Sequence, residues 1–370
     1  MGVRTLKCDS KVDQADWDGL AAALGGGFFH CHASVVYQAR IVRAEPLFAK
    51  VFDEADRCVG IAAGTVARSR MWPFSRFCGL AALPATPVAG GDPQTEAEVL
   101  DAVERHLRRR GVYRVDVASY HSPNSDRLLP RQDYVLTGRH EYHFDLTRSL
   151  DDLFADFSRT RRKDVRKAER HGIVTRETSD PDAVDLVRRI HNVSMERRGG
   201  RLSRVDESVS AAGRELMASG RVRVVVSYLD DEPVGACLYG LFNGLAYGLE
   251  GGSTDEGNRR ASAAHLFWVS MRLFKEQGVA QMSLGGAKEN EESLRKFKQH
   301  FGAIETSQPA GYKAISPFGA RLAGIRSRFR GKRRVAGGGL QPREGPPGDG
   351  SSEYGTDSGA DSVGRRPRSG

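Results

Sequence analysis

The chain has few cysteines and spreads them thinly. Cys8, Cys31, Cys58, Cys78 and Cys237 are odd in number, far apart and never in C-x-x-C spacing. That excludes a disulfide framework or a zinc knuckle and fits a reducing compartment. Long apolar runs are missing too. None approaches the roughly 20 residues that a membrane-spanning helix needs, and the opening MGVRTLKCDSKVDQADW lacks the apolar stretch of a signal peptide. The expectation is therefore a cytoplasmic protein with no transmembrane span. His30-Cys31-His32 and His140-x-x-His143 have metal-compatible spacing, but no third or fourth ligand lies near them in sequence, so no metal site is expected. The absence of G-x-S-x-G, of a complete P-loop and of the kinase motif set removes those nucleophile and nucleotide chemistries. Acidic residues are outnumbered, 47 against 56 basic, for a net charge of +9.

That excess is clustered. Ser158–Arg170 (SRTRRKDVRKAER) holds seven basic residues, and Arg321–Arg334 (RLAGIRSRFRGKRR) holds seven more and no acid. Two such patches suit an anionic partner such as RNA, a nucleotide-linked substrate or a lipid surface. From Gly331 to Gly370 the chain turns to Gly, Pro, Ser, Arg and Asp without periodicity. Such a composition buries too little apolar surface to offset ordering entropy, so a disordered tail is expected there.

What the chain does contain is one structural sentence written twice. Val51–Arg68 (VFDEADRCVGIAAGTVAR) and Val222–Leu241 (VRVVVSYLDDEPVGACLYGL) each read as strand, acidic turn, Val-Gly and second strand. A helix then runs into Gly111 and a strand (HLRRRGVYRVDVAS), and again into Gly278 and a strand (LFKEQGVAQMSLGG). The Val-Gly pairs are 235 − 60 = 175 residues apart and the helix-ending glycines 278 − 111 = 167 apart. Order and offset agree, which points to two copies of one α/β unit. The expected division is a first unit at 1–148, a second at 149–320 and the tail at 331–370. Thr95–Arg110 reads as an amphipathic helix with Gly111 as its C-cap. Leu150–His171 reads as one helix closed by Gly172, and Asp182–Arg197 as another. Leu245–Gly251 reads as a strand, Ser262–Gln277 as a helix, Gln281–Leu284 as a strand, Glu291–His300 as a helix and Tyr312–Ile315 as a last strand.

The strand, loop and helix at Leu245–Gln277 are the best site candidate. Arg259-Arg260 precede Ala261-Ser262-Ala263-Ala264 at a helix start, where free N–H groups and the positive dipole end favour an anion. The order hairpin, strand, Arg259-x-x-Ser262-x-Ala264 loop and helix resembles the acyl-donor loop of the GNAT acyltransferases, with Ser where their pattern has its first Gly. Ser283-Leu284-Gly285-Gly286 followed by Leu294-x-x-Phe297-Lys298-x-x-Phe301-Gly302 is similar to the end of FemAB-like aminoacyltransferases. The stretch Arg161–Gly172 and Met195-x-x-Arg198-Gly199 add to that likeness, which covers about residues 150–315.

The resemblance implies an α/β (α+β) fold of two tandem GNAT-like units, mixed central sheets flanked by helices, with the donor side in the second and the acceptor side in a degenerate first. It implies Lys298 as the cation aimed at a developing oxyanion and Phe297 beside it at the donor end. Arg259, Arg260, Ser262 and Ala264 would bind the donor. Glu250, on the strand where many GNAT enzymes carry a carboxylate, would serve as proton acceptor. Tyr247 and Arg198 would line the acceptor groove. No resident cofactor is expected; the acyl donor is a co-substrate, aminoacyl-tRNA or alternatively acetyl-coenzyme A. The Phe-Lys pair, the Cβ of Ser262 in the donor loop and the two basic patches favour tRNA. The expected reaction is transfer of an aminoacyl group to the amine of a cell-wall precursor, such as that of peptidoglycan, or of another acceptor. The alternatives are a coenzyme A-dependent N-acetyltransferase and a non-catalytic RNA- or membrane-binding module touching the membrane through 321–334.

Overall fold

The computed structural model describes residues 5–68, 74–200 and 202–324. The tail expected at 331–370 and all but the start of the basic segment at 321–334 lie outside the described residues.

The first half runs β1 (Thr5–Asp9), α1 (Gln14–Ala23), a 3-10 turn at Phe28–His30, α2 (His32–Val42), β2 (Glu45–Phe52), β3 (Cys58–Ala67), α3 (Phe74–Phe77), β4 (Gly79–Leu83), α4 (Pro93–Arg109), β5 (Val112–Val117), α5 (Ser125–Arg131), β6 (Val135–Thr137) and β7 (Arg139–Asp145). The second runs α6 (Leu150–Asp156), α7 (Arg159–Arg170), β8 (Val174–Thr178), α8 (Ala183–Arg198), α9 (Glu207–Ala218), β9 (Val222–Leu229), β10 (Glu232–Phe242), β11 (Leu245–Ser253), α10 (Asp255–Arg259), α11 (Ser262–Glu276), β12 (Gln281–Lys288), α12 (Glu292–Gln299), β13 (Ile304–Ser307) and β14 (Ala310–Ala314).

Local chemistry explains the main boundaries. Asp92 caps α4 through Gln94 N and Thr95 N with Pro93 in its first turn, and Gly111 at φ 77° ends it. In the second hairpin Asp230 and Asp231 both take positive φ, as a tight two-residue hairpin turn requires. The expected acidic turn is thus Asp230-Asp231. Asn243-Gly244, likewise at positive φ, closes β10 onto β11. The helix expected over 150–171 is two helices. Phe157 is extended and 1% exposed, so it drops into the core, and Ser158 restarts the helix by accepting a bond from Arg161 N.

The doubling is borne out in the sheets. Their strand orders are β1-β2-β3-β4-β5-β14-β6 and, read from its other edge, β8-β9-β10-β11-β12-β7-β13. Each has four antiparallel strands, one parallel step (β4–β5, β11–β12) and two further antiparallel strands. The sixth place in each sheet is filled from the other half of the chain: β14 enters the first sheet and β7 the second. The expected boundary near 148 falls just after one of these exchanged strands. The chain changes sheets at Gly138, between β6 and β7, and returns after β13. Gly138 is tight enough that a Cβ there would lie 2.4 Å from the Glu289 carboxyl carbon. Each exchanged strand covers an edge that the receiving unit would otherwise leave open.

Two cores flank the second sheet. On one face Tyr142, Phe144, Val225, Tyr239, Phe267 and Phe301 pack under α7, α11 and α12. On the other, Val224, Val226, Leu238 and Tyr247 join Trp17, Phe28, Phe29 and Phe48 of the first unit and Val187 of α8 in one continuous core. The junction between units is thus apolar interior, and whatever polar groups sit in it must be satisfied there.

Candidate active site at the junction of the two units

The parallel step differs between the copies. In the first, β4 and β5 pair along the whole of Gly79–Leu83. In the second, β11 and β12 pair only over Leu245–Tyr247 with Gln281–Ser283, and then part. β12 carries an irregularity against β7 between Ser283 and Gly286, with Gly285 at φ 75°. β11 has an extra residue against β10, because Leu238 faces Glu250 while Tyr239 faces Gly248. That bulge at Leu249 resets the alternation of side chains. Without it Glu250, three residues from Tyr247, would point to the opposite face. With it both face the junction.

Tyr247 and Ser283 form the last pair before the strands part, and both meet Glu141 of β7. Tyr247 Oη donates to Glu141 Oε1 at 2.6 Å and Ser283 Oγ to Oε2 at 2.9 Å. Arg139 Nη2 donates to Glu141 Oε1 at 2.5 Å and to Tyr247 Oη at 3.1 Å. The Arg139 guanidinium also lies 4.7 Å from the Tyr120 ring centroid. Burial alone would raise the Glu141 carboxyl, but Arg139 and the hydroxyl donors outweigh it and hold its pKa below the ordinary range. Burial and the adjacent carboxylate push the Tyr247 phenol well above its usual range, so it remains a donor. An ion pair with this many donors inside a core is well satisfied. Sequence reasoning missed Arg139 and Glu141; two charges alternating in a strand read as a solvated edge.

Glu250 lies farther along β11 and is 16% exposed on its side chain. Its Oε1 accepts from Ser203 Oγ at 2.8 Å, with Arg188 Nε at 3.8 Å and His191 Nε2 at 4.0 Å. Arg188 also donates to Tyr37 Oη of the first unit. Desolvation raises the Tyr37 phenol to about 12 against the opposing pull of Arg188. Of the residues expected from sequence, Tyr247 and Glu250 thus share one face at the unit junction. Arg198 ends α8; its side chain lies outside the described residues.

The loop expected to bind the donor is built from packing and ion pairs. Ser262 and Ala264 are buried, and Ser262 Oγ donates to Ser253 Oγ at 3.1 Å. Ala261 precedes α11 in a left-handed conformation, with no side-chain cap on the helix start. Arg259 and Arg260 both bond Glu256, through Nε at 3.0 and 2.7 Å. Arg260 Nη1 lies 3.0 Å from His171 Nδ1, which ties the loop to the end of the basic helix α7. The exposed Lys163, Arg166 and Arg170 of α7 therefore extend the positive surface beside the loop.

Phe297 and Lys298 sit on the opposite face of the sheet from Glu141. Arg161 stacks on the Phe297 ring at 4.8 Å. Lys298 is fully buried, and its Nζ donates to the carbonyls of Gly285 at 3.1 Å and Gly286 at 2.6 Å, with the Tyr142 ring centroid at 5.5 Å. Its ammonium thus holds the irregular stretch of β12 from behind. The two histidine motifs are engaged elsewhere: His30 contacts Gly27 N and Thr86 O, and His140 pairs with Glu305. Among the described residues no group of three or more His, Cys, Asp or Glu is arranged to hold a metal ion, and no helix is long and apolar enough to cross a membrane.

Comparison with known proteins bears on the fold. The family model for the acetyltransferase (GNAT) domain matches residues 155–299. No protein of curated function matches the sequence. Among solved structures, FemX superposes with a TM-score of 0.65 at 13% identity, covering 83% of this chain and 96% of that one. The C-terminal domain (DUF2156) of a putative lysylphosphatidylglycerol synthetase from Agrobacterium fabrum gives 0.52 at 16%, covering 86% and 97%. L-PGS from Bacillus licheniformis gives 0.51 at 13%, covering 78% and 90%. At such identities the likeness is one of fold, and it extends over both units.

Proposed function

Starting from a GNAT-type acyltransferase of FemAB-like build, we propose that the chain moves an aminoacyl group from aminoacyl-tRNA to a primary amine at the junction of its two units. The observation that carries this reading is the parting of β11 from β12 beyond Tyr247 and Ser283, with Glu141 at the apex and Glu250 beyond it on the junction face. Parted parallel strands accept an extended donor arm along their edges, while the first unit closes over the acceptor. The fold shared with a domain of a putative lysylphosphatidylglycerol synthetase supports the aminoacyl donor.

In this reaction the amine nitrogen attacks the ester carbonyl, a C–N bond forms and the C–O bond to the ribose breaks. The amine loses one proton and the ribose oxygen gains one. Donor phosphates would meet Arg259, Arg260 and the start of α11, with α7 extending the contact; Phe297 packs behind the donor end. Lys298 fixes the carbonyls of Gly285 and Gly286 and so keeps the gap open behind the acyl group. Glu250 stands among Arg188, His191 and Ser203 as a carboxylate for the acceptor ammonium, with Tyr247 along the acceptor groove. The acceptor class is an amine on a cell-wall precursor or another anionic small molecule, which suits the basic surface.

A second reading is coenzyme A-dependent N-acetylation, favoured by the acetyltransferase description of the matching domain model. Purified protein is incubated with labelled acetyl-coenzyme A and, separately, with charged tRNA, each with a panel of primary amines. Transfer from charged tRNA is the expected result. Turnover with acetyl-coenzyme A alone overturns the tRNA donor and leaves the second reading.

A further inference from the structure

The loop between β5 and α5 is held far more firmly than a connection needs. Ser119 and His121 both take left-handed backbone conformations, at φ 58° and 48°, and two non-glycine residues in that region within three positions are costly. Hydrogen bonds fix them there. Tyr120 N donates to Pro84 O at 2.8 Å and Ser122 N to Gln308 Oε1 at 2.7 Å. Ser122 Oγ accepts from Thr86 N at 2.9 Å, and Ser119 O accepts from Arg139 Nη1 at 3.3 Å. The result is to deliver the His121 ring to the junction of the units. A Cβ on Gly27 would lie 3.1 Å from its Cδ2 and 3.9 Å from Leu245 Cδ1 of β11. The His121 backbone N–H points at 3.4 Å to Glu141 Oε1, of the carboxylate that joins Tyr247 and Ser283 where the strands part.

Nothing in the site as described uses this imidazole. Among the described residues no group hydrogen-bonds its ring nitrogens, whereas the nearby His30 ring is bonded on both sides. The titratable groups that act on it are His30 from the 3-10 turn and Glu141 and His143 from β7. We propose that His121 is the proton acceptor for the attacking amine, supplied by the first unit to a reaction whose donor is held by the second. This rests on the acyl-transfer reading above. The acceptor ammonium first releases one proton to solvent; His121 takes the second from the attacking free amine as the C–N bond forms and returns it to the ribose oxygen as the C–O bond breaks, so ammonium and ester give amide, ribose hydroxyl and one released proton. Burial, reinforced by His143 and opposed by Glu141, lowers the pKa of this ring, which leaves it neutral near pH 7 and ready to accept.

Two measurements on the full chain test this. Diethylpyrocarbonate acylates neutral, reachable imidazoles, and peptide mapping reads the site. His121 is expected to react at pH 6 to 7 while His30 stays protected; an unreactive His121 in the native chain overturns the proposal whatever the activity. The second measurement is transfer to primary amines by wild type and His121→Asn, since Asn tolerates the left-handed backbone. The expected loss in kcat is about 100-fold at pH 7, shrinking as pH rises toward the pKa of the amine. Wild-type turnover by H121N at every pH overturns the role of His121 and leaves acyl transfer standing. No transfer by wild type from either charged tRNA or acetyl-coenzyme A overturns the acyl-transfer reading itself, and the catalytic role with it.

Discussion

Tyr247 and Ser283 are cross-strand partners at the last paired position of β11 and β12, and both hydroxyls converge on the two oxygens of Glu141. One carboxylate therefore bolts together the apex of the opening, and Arg139 balances its charge inside the core. Removing Glu141 as Ala strands that guanidinium, so the cost in unfolding free energy should be about 3–5 kcal/mol. Tyr247→Phe loses one hydroxyl of several donors and should cost about 1 kcal/mol. Urea denaturation measures both. Equal, small losses would mean that water reaches the network.

Lys298 donates to the carbonyls of Gly285 and Gly286. Lys298→Met keeps the packing volume and leaves those carbonyls without that donor, at a cost of about 1–3 kcal/mol. Turnover should fall at least ~100-fold, the scale seen when a group that shapes an oxyanion site is removed. Stability and turnover should fall together if the ammonium acts by holding the strand. Lost turnover at unchanged stability would instead assign it directly to the oxyanion.

Buried histidines set the acid limb of stability. His30 is fully buried, and desolvation lowers it from an ordinary 6.5 to about 4, against the raising effect of its bonds to Thr86 and Gly27. The folded chain thus binds this proton less well than the unfolded chain. Its contribution is complete above pH 6.5 and is lost as pH falls from 6.5 toward 4. Between pH 7 and 5 the loss from this ring is about 2 kcal/mol. His30→Gln has no such proton to gain, so its stability should fall less over that interval. An unchanged pH slope in the variant would place the titration elsewhere.

The doubling was legible because its signals are local: an acidic turn, a Val-Gly pair and a helix ending in glycine recur within short windows. The exchange of β7 and β14 was not. Arg139–Asp145 was not read as a strand and only Tyr312–Ile315 was expected near β14; only the tertiary fold decides which edge each joins. The donor loop and the Phe297-Lys298 spacing were visible as motifs, and Tyr247 and Glu250 as strand residues. That Glu250 faces the junction depends on the bulge at Leu249, which leaves no mark in the sequence. Arg139, Glu141 and His121 were hidden for the same reason. A charged or titratable residue in a short polar stretch looks solvated until another part of the chain covers it.

Phe28 seals the two units against each other at one glycine. A Cβ on Gly240 of β10 would lie 2.4–2.6 Å from three atoms of the Phe28 ring, closer than any real contact allows. Phe28 is 3% exposed and packs edge to face on Phe29, so it has nowhere to move. Gly240→Ala should therefore destabilise the chain by about 1–3 kcal/mol through overpacking. Phe28→Leu should cost something by itself, since it removes ring atoms from the core. Combined, the two should cost less than their sum, because the smaller side chain makes room for the added methyl. A double-mutant cycle by chemical denaturation reads the coupling directly. Strict additivity would mean that the first unit shifts away from β10 to relieve the clash, and that the junction is softer than its packing implies.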